Sequence, residues 1–156
     1  MVGEGEHIMA TQWTAGTVSG QVLTAATLNT IGAAWEAYTP TLVQGVTVTK
    51  TIAYAKFCRL QKLCIVNLDL NVTSAGTNNT NVTIGLPLTA VAGTQQIGSG
   101  FVYDQNINAL YSGPASLAST TTITMLYQTG SPIGSSPTLA LASGDVIRLM
   151  VAYEVA

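Results

Sequence analysis

Two kinds of hydrophobic spacing follow one another along the chain. Behind Thr24, a residue able to cap a helix, Leu28, Ile31, Trp35 and Tyr38 recur every three or four positions and form one apolar stripe. This predicts a single short helix that ends before Pro40, because the residue ahead of a proline is pushed out of the helical region. With Gly32 inside it such a helix would be marginal alone, so its stripe must dock, either on its own domain or on a partner. From Thr41 onward the spacing falls to two. Residues 51–57 alternate, with Ile52 and Tyr54 on one face, and residues 63–73 keep Val66, Leu68, Leu70 and Val72 inward while Asn67, Asp69 and Asn71 face out. Val82, Ile84 and Leu86 alternate up to Pro87, and residues 97–103, 109–112, 121–127 and 146–155 read as further strands between Gly, Pro and Ser groups.

About eight short strands without intervening helices predict an all-β antiparallel β-sandwich or jelly roll. Residues 1 to 23 show no period and read as an extended arm. The expected organisation is therefore an arm and helix over 1–40 and a β domain over 41–156.

Composition narrows what such a body does. Only 8% of residues are charged, against roughly 25% in ordinary soluble proteins. Thr, Ser, Asn and Gly stand where Lys and Glu usually do, so the surface is neutral and suits being covered by neighbours, which points to a homo-oligomer. A net charge of -2 and the lack of any Lys/Arg run remove the electrostatic footprint of a nucleic-acid partner. The acidic opening Glu4-Gly5-Glu6-His7 is the reverse of a secretory leader, and the apolar stretch 146–156 is broken by Arg148 and Glu154, so no membrane insertion is expected.

Chemistry is sparse. The single histidine, His7, lies in the arm, away from either cysteine, which closes the Ser-His-Asp and Cys-His routes and leaves no metal shell. Of the carboxylates in the body, Asp145 reads as a turn residue and Asp69 as a solvated strand position, so no pair for glycoside hydrolysis is expected. No Gly-rich loop joins a strand to a helix, and Gly98-Ser99-Gly100 fits close strand packing. The expectation is no enzyme, no cofactor and no catalytic or metal-binding residue. A hairpin centred on Gln61 would set Cys58 opposite Cys64, leaving a disulfide or, as the favoured alternative, two buried thiols. One loop could bind: Tyr103, Asp104, Asn106 and nearby Tyr111 combine rings and polar groups in the way that holds a sugar, the plainer alternative being a polar loop with core tyrosines at its ends.

Two stretches carry a family resemblance. Trp13-Thr14-Ala15-Gly16-Thr17-Val18, continued by residues 22–30 to Trp35 and Tyr38-Thr39-Pro40-Thr41, resembles the N-terminal leader of small minor structural proteins of tailed bacteriophages. Tyr54-Ala55-Lys56-Phe57 through Leu60-Gln61-Lys62-Leu63 is similar to a strand, turn and strand in the same proteins, as are Leu86-Pro87-Leu88 and the Gly144-Asp145 turn. Gln61 stands where that family commonly has Gly. The resemblance implies a virion component with a sandwich or jelly-roll body, often trimeric, of head-decoration, head-fibre, minor-tail or host-recognition type. It would be located in the virion, and in the host cytoplasm during assembly. The chain is then expected to be anchored on a major capsid or tail protein by its N-terminal segment, through Trp13, Leu28, Ile31, Trp35 and Tyr38, since large apolar side chains dominate interface energetics. Capsid decoration is the leading expectation. The alternative is a tail-fibre or lectin-like module for a host surface glycan.

Overall fold

The computed structural model describes residues 34–93, 96–128 and 130–156. Within them the chain is all-β, with no helix. Ten strands make one sheet: β1 (Glu36–Ala37), β2 (Leu42–Gln44), β3 (Val46–Thr47), β4 (Lys50–Leu60), β5 (Leu63–Val72), β6 (Thr83–Gly85), β7 (Gln96–Asp104), β8 (Ala109–Leu117), β9 (Thr122–Met125) and β10 (Val146–Glu154). Their order is β1-β4-β5-β10-β7-β8-β9-β6-β2-β3, and every neighbouring pair is antiparallel.

That order forces curvature. The Val48 N–H still bonds Leu42 O of β2 at 2.9 Å, while the next residue, Thr49, already accepts from the Thr73 N–H at 2.9 Å just beyond β5. A single residue step thus carries the chain from one end of the sheet to the other, so the sheet curls around one core. The inward set of β5, Val66, Leu68, Leu70 and Val72, is buried as the alternation predicts; beside it on β10, Ile147, Leu149 and Val151 pair with Leu70, Leu68 and Val66, and Tyr153 pairs with Cys64. Ile84, Val102, Ile123 and Met125 complete the lining, and the long connection between β9 and β10 adds Ile133, Leu139 and Leu141. Each such side chain contributes about 1.5–3 kcal/mol by leaving water.

Three expectations are corrected here. The helix predicted up to Tyr38 does not extend over the described residues: Glu36 and Ala37 pair with Phe57 and Lys56 on β4, and the Tyr38 N–H bonds Ala55 O at 3.2 Å. A marginal helix loses to the open edge of a long strand, whose unpaired N–H and C=O groups satisfy the same backbone. Its earlier part, residues 24–33, and the arm lie outside the described residues. Second, Ile52 and Tyr54 do not share a face, because a bulge between them leaves Ala53 unpaired; Ile52 opposes Leu70 and Tyr54 opposes Asp69. Third, the β4–β5 turn is centred between Gln61 and Lys62, with Leu60 opposite Leu63. Cys58 therefore opposes Ile65 and Cys64 opposes Arg59, so the two cysteines point to opposite faces of the ladder and both are free buried thiols.

Gln61 sits at φ +55, in the left-handed region that costs a side chain about 1–2 kcal/mol. The Arg59 Nε–H donates to Gln61 O at 2.6 Å, a bond that needs no side chain at 61. Gln61→Gly is therefore expected to raise the unfolding free energy by about 0.5–1 kcal/mol, the relieved strain less the added freedom of the unfolded chain. Urea titration measures it, and an unchanged or lower midpoint would contradict the strain.

Candidate functional site

The β7–β8 hairpin spends its polar groups on itself. The Tyr103 hydroxyl donates to Asn108 Oδ1 at 2.7 Å, and Asp104 Oδ1 accepts from the N–H groups of Asn106 at 3.0 Å and Ile107 at 3.4 Å, closing the turn. Asp104 is buried. Tyr103 opposes Leu110 and Tyr111 opposes the core residue Val102, so the two tyrosines lie on opposite faces. Tyr111 packs edge-on against Tyr127 with centroids 5.8 Å apart, inside. The four residues expected to gather around a sugar are thus not brought together: two of them build the turn, one reinforces it, and one belongs to the core.

Of the expected anchor, Trp13, Leu28 and Ile31 lie outside the described residues. Trp35 is 45% exposed immediately before β1. Tyr38 is turned the other way, its ring edge-on to Phe57 at 5.9 Å and its hydroxyl enclosed, with no hydrogen-bond partner among the described residues. Burial pushes the Tyr38 and Tyr153 hydroxyls well above their ordinary ionisation range and raises the Cys64 thiol above its ordinary value. That shift disfavours the thiolate of Cys64, the form that acts as a nucleophile. The Tyr153 hydroxyl donates to Leu88 O at 2.9 Å, locking the β6–β7 connection to β10.

The outer face of the long strands holds a site that the spacing alone does not single out. Strand register lines up Tyr54 on β4, Asp69 on β5, Arg148 on β10 and Phe101 on β7 as one row across the sheet. The next row carries Asn67 and Ser99 with Met150 between them. These side chains line a groove of about 460 Å³. Arg148 Nε–H donates to Asp69 Oδ2 at 2.7 Å, with the guanidinium carbon 5.9 Å from the centre of the Phe101 ring. At the other wall, Lys56 Nζ lies 5.5 Å from the centre of the Tyr54 ring. Asp69 Oδ1 is enclosed and accepts no hydrogen bond from the described residues. A methyl group on Gly98 or Gly100 would run into the Met150 or Arg148 carbonyl of β10, so the two glycines let β7 and β10 approach closely.

Asp69 is legible as an outward strand position, but its ion pair is not, because Arg148 lies 79 residues away. Tyr54 is displaced to this face only by the bulge. The usable signal is the pair of outward strand aromatics flanking outward charges. Among the described residues no three His, Cys, Asp or Glu side chains come together in a way that could hold a metal ion. No family model, curated protein or solved structure matches this chain.

Proposed function

We propose that this chain is a structural component of a bacteriophage virion: an oligomeric, surface-displayed module, anchored by its N-terminal segment and serving as capsid decoration or head fibre. The curled sheet would be its sandwich-like, jelly-roll-type body. The observation that carries the reading is the outer face of the long strands. Leu60, Leu63, Leu110 and Met150 are exposed there, the last two by 57% and 56%. Four of the charges around them are paired, Asp69 with Arg148 and Glu154 with Lys62 at 3.8 Å, while Lys56 rests over the Tyr54 ring. A face with open large apolar side chains and mostly paired charge gains more from a covering neighbour than from water. The resemblance of residues 13–41 to phage leaders supplies the particle, and the trimer is the oligomer that the resemblance favours.

Sedimentation of the full chain over a rising concentration series tests the assembly half. The expected result is a discrete oligomer, and Leu110→Lys is expected to shift it toward monomer. A chain that stays monomeric at the highest concentrations would overturn the reading.

A further inference from the structure

We propose that the groove between Tyr54 and Phe101 is a saccharide-binding site, distinct from the β7–β8 turn and independent of whether the module sits on a particle. The chemistry of its lining selects the ligand. A pyranose ring has apolar C–H faces and hydroxyls that both donate and accept. The groove offers a match to each: two aromatic rings, on Tyr54 and Phe101, and a carboxylate beside a guanidinium. In the Asp69–Arg148 pair, Nε alone holds the carboxylate, so the two terminal nitrogens of Arg148 keep their donors; its side chain is 57% exposed. Among the described residues Asp69 Oδ1 has no donor, and a buried carboxylate oxygen left unpaired is costly. Binding would require the carboxylate to turn about its Cβ–Cγ bond, trading part of its bond to Arg148 Nε, so that one ligand hydroxyl donates to this oxygen while the neighbouring hydroxyl accepts from Arg148. Vicinal hydroxyls have that spacing and that dual capacity. The Asn67 amide and the Ser99 hydroxyl extend the polar floor along the next row.

A peptide is a poorer match. Extended peptides bind by adding to an unpaired strand edge. The groove instead lies on a face whose floor, β5, β10 and β7, is paired on both sides. From β4 to β7 it crosses three strand spacings, roughly 14 Å, the length of a short oligosaccharide rather than a single sugar.

The test is a printed array of bacterial surface oligosaccharides probed with the fluorescently labelled full chain, followed by calorimetric titration of the best-bound oligosaccharide. Variants are Tyr54→Ala, Phe101→Ala and Arg148→Met, with Tyr54→Phe as the ring-conserving control and Tyr103→Phe as the control at the turn. Thermal unfolding of each variant verifies the fold. Each of the first three is expected to weaken binding about tenfold or more, and the two controls by less than threefold. Absence of binding across the array overturns the proposal, as does binding that all three groove variants retain. Variants that change sedimentation of the chain and leave saccharide affinity untouched would likewise overturn it, making the groove a contact between copies. A monomeric chain that binds through these residues would uphold this site while sinking the assembly reading, so the two fail separately.

Discussion

Replacing Gln44 by Leu is expected to lower the unfolding free energy by about 3–5 kcal/mol, a large share of the ~5–15 kcal/mol that holds a domain together. Gln44 has no exposed surface. Its Nε2 donates to Leu139 O at 2.6 Å and Thr80 O at 3.1 Å, and its Oε1 accepts the Leu141 N–H at 2.8 Å. One amide thus ties β2 to the loop before β6 and to the long connection that delivers Leu139 and Leu141 to the core. Leucine fills nearly the same volume but leaves two buried backbone groups and one part-buried carbonyl unpaired, at about 1–3 kcal/mol for each buried one before relaxation. Gln44→Glu keeps the acceptor for Leu141 and sets a carboxylate against two carbonyls, so it is expected to fail as well, which separates hydrogen-bond loss from shape. Guanidinium unfolding measures both, and a loss under 1 kcal/mol for Gln44→Leu would show that the amide is not the tie described.

Gln44 also marks where sequence reading ends. Its residue type reads as a solvated strand position, and nothing local announces that its partners lie 36, 95 and 97 residues away. Local signals did well where burial is periodic. The alternation of β5 and β10 is strict because one face meets the core and the other meets solvent, so a one-residue slip would exchange the two. They did poorly at the short strands β1, β2 and β3, where two or three residues carry no period and pairing is decided by which edge is free. The last residues of the predicted helix give way for the same reason: the spacing of Trp35 and Tyr38 suits a helix or a strand edge, and β4 offers the edge to Glu36 and Ala37.

The candidate site shows the same division. Outward polar positions on β5 are visible in the alternation, but the row that joins Tyr54, Asp69, Arg148 and Phe101 exists only through three strand registers and one bulge. The β7–β8 turn, where rings and amides are adjacent in sequence, is where a sugar site is easiest to imagine. Its groups are consumed in holding the turn shut.

The second large effect is expected at Asp145, where Asp145→Ala should cost about 2–5 kcal/mol by leaving two part-buried amides without acceptors and emptying a fully enclosed position. Asp145 is fully enclosed, its Oδ1 accepting the Gln105 N–H at 3.0 Å and its Oδ2 the Ala142 N–H at 2.8 Å. The carboxylate joins the β7–β8 turn to the turn that launches β10, while its own backbone O accepts the Val72 N–H at 2.8 Å. Burial raises its pKa above the ordinary carboxylate range; the two amides oppose that shift, and the nearby Asp104 carboxylate adds to it. The sign for stability follows from proton binding. With the folded pKa above the unfolded one, the folded state holds the proton more readily in the window just above ~4. The stability that depends on Asp145 is then full below that window and declines as pH rises through it. Asp145→Asn, which keeps one acceptor and cannot titrate, isolates the effect: its deficit against the parent chain is expected to be about 1–3 kcal/mol at pH 7 and larger near pH 4. Urea titrations of both chains from pH 4 to 7 measure the gap, and a gap that widens with rising pH would mean that the amides outweigh burial and hold the carboxylate ionised.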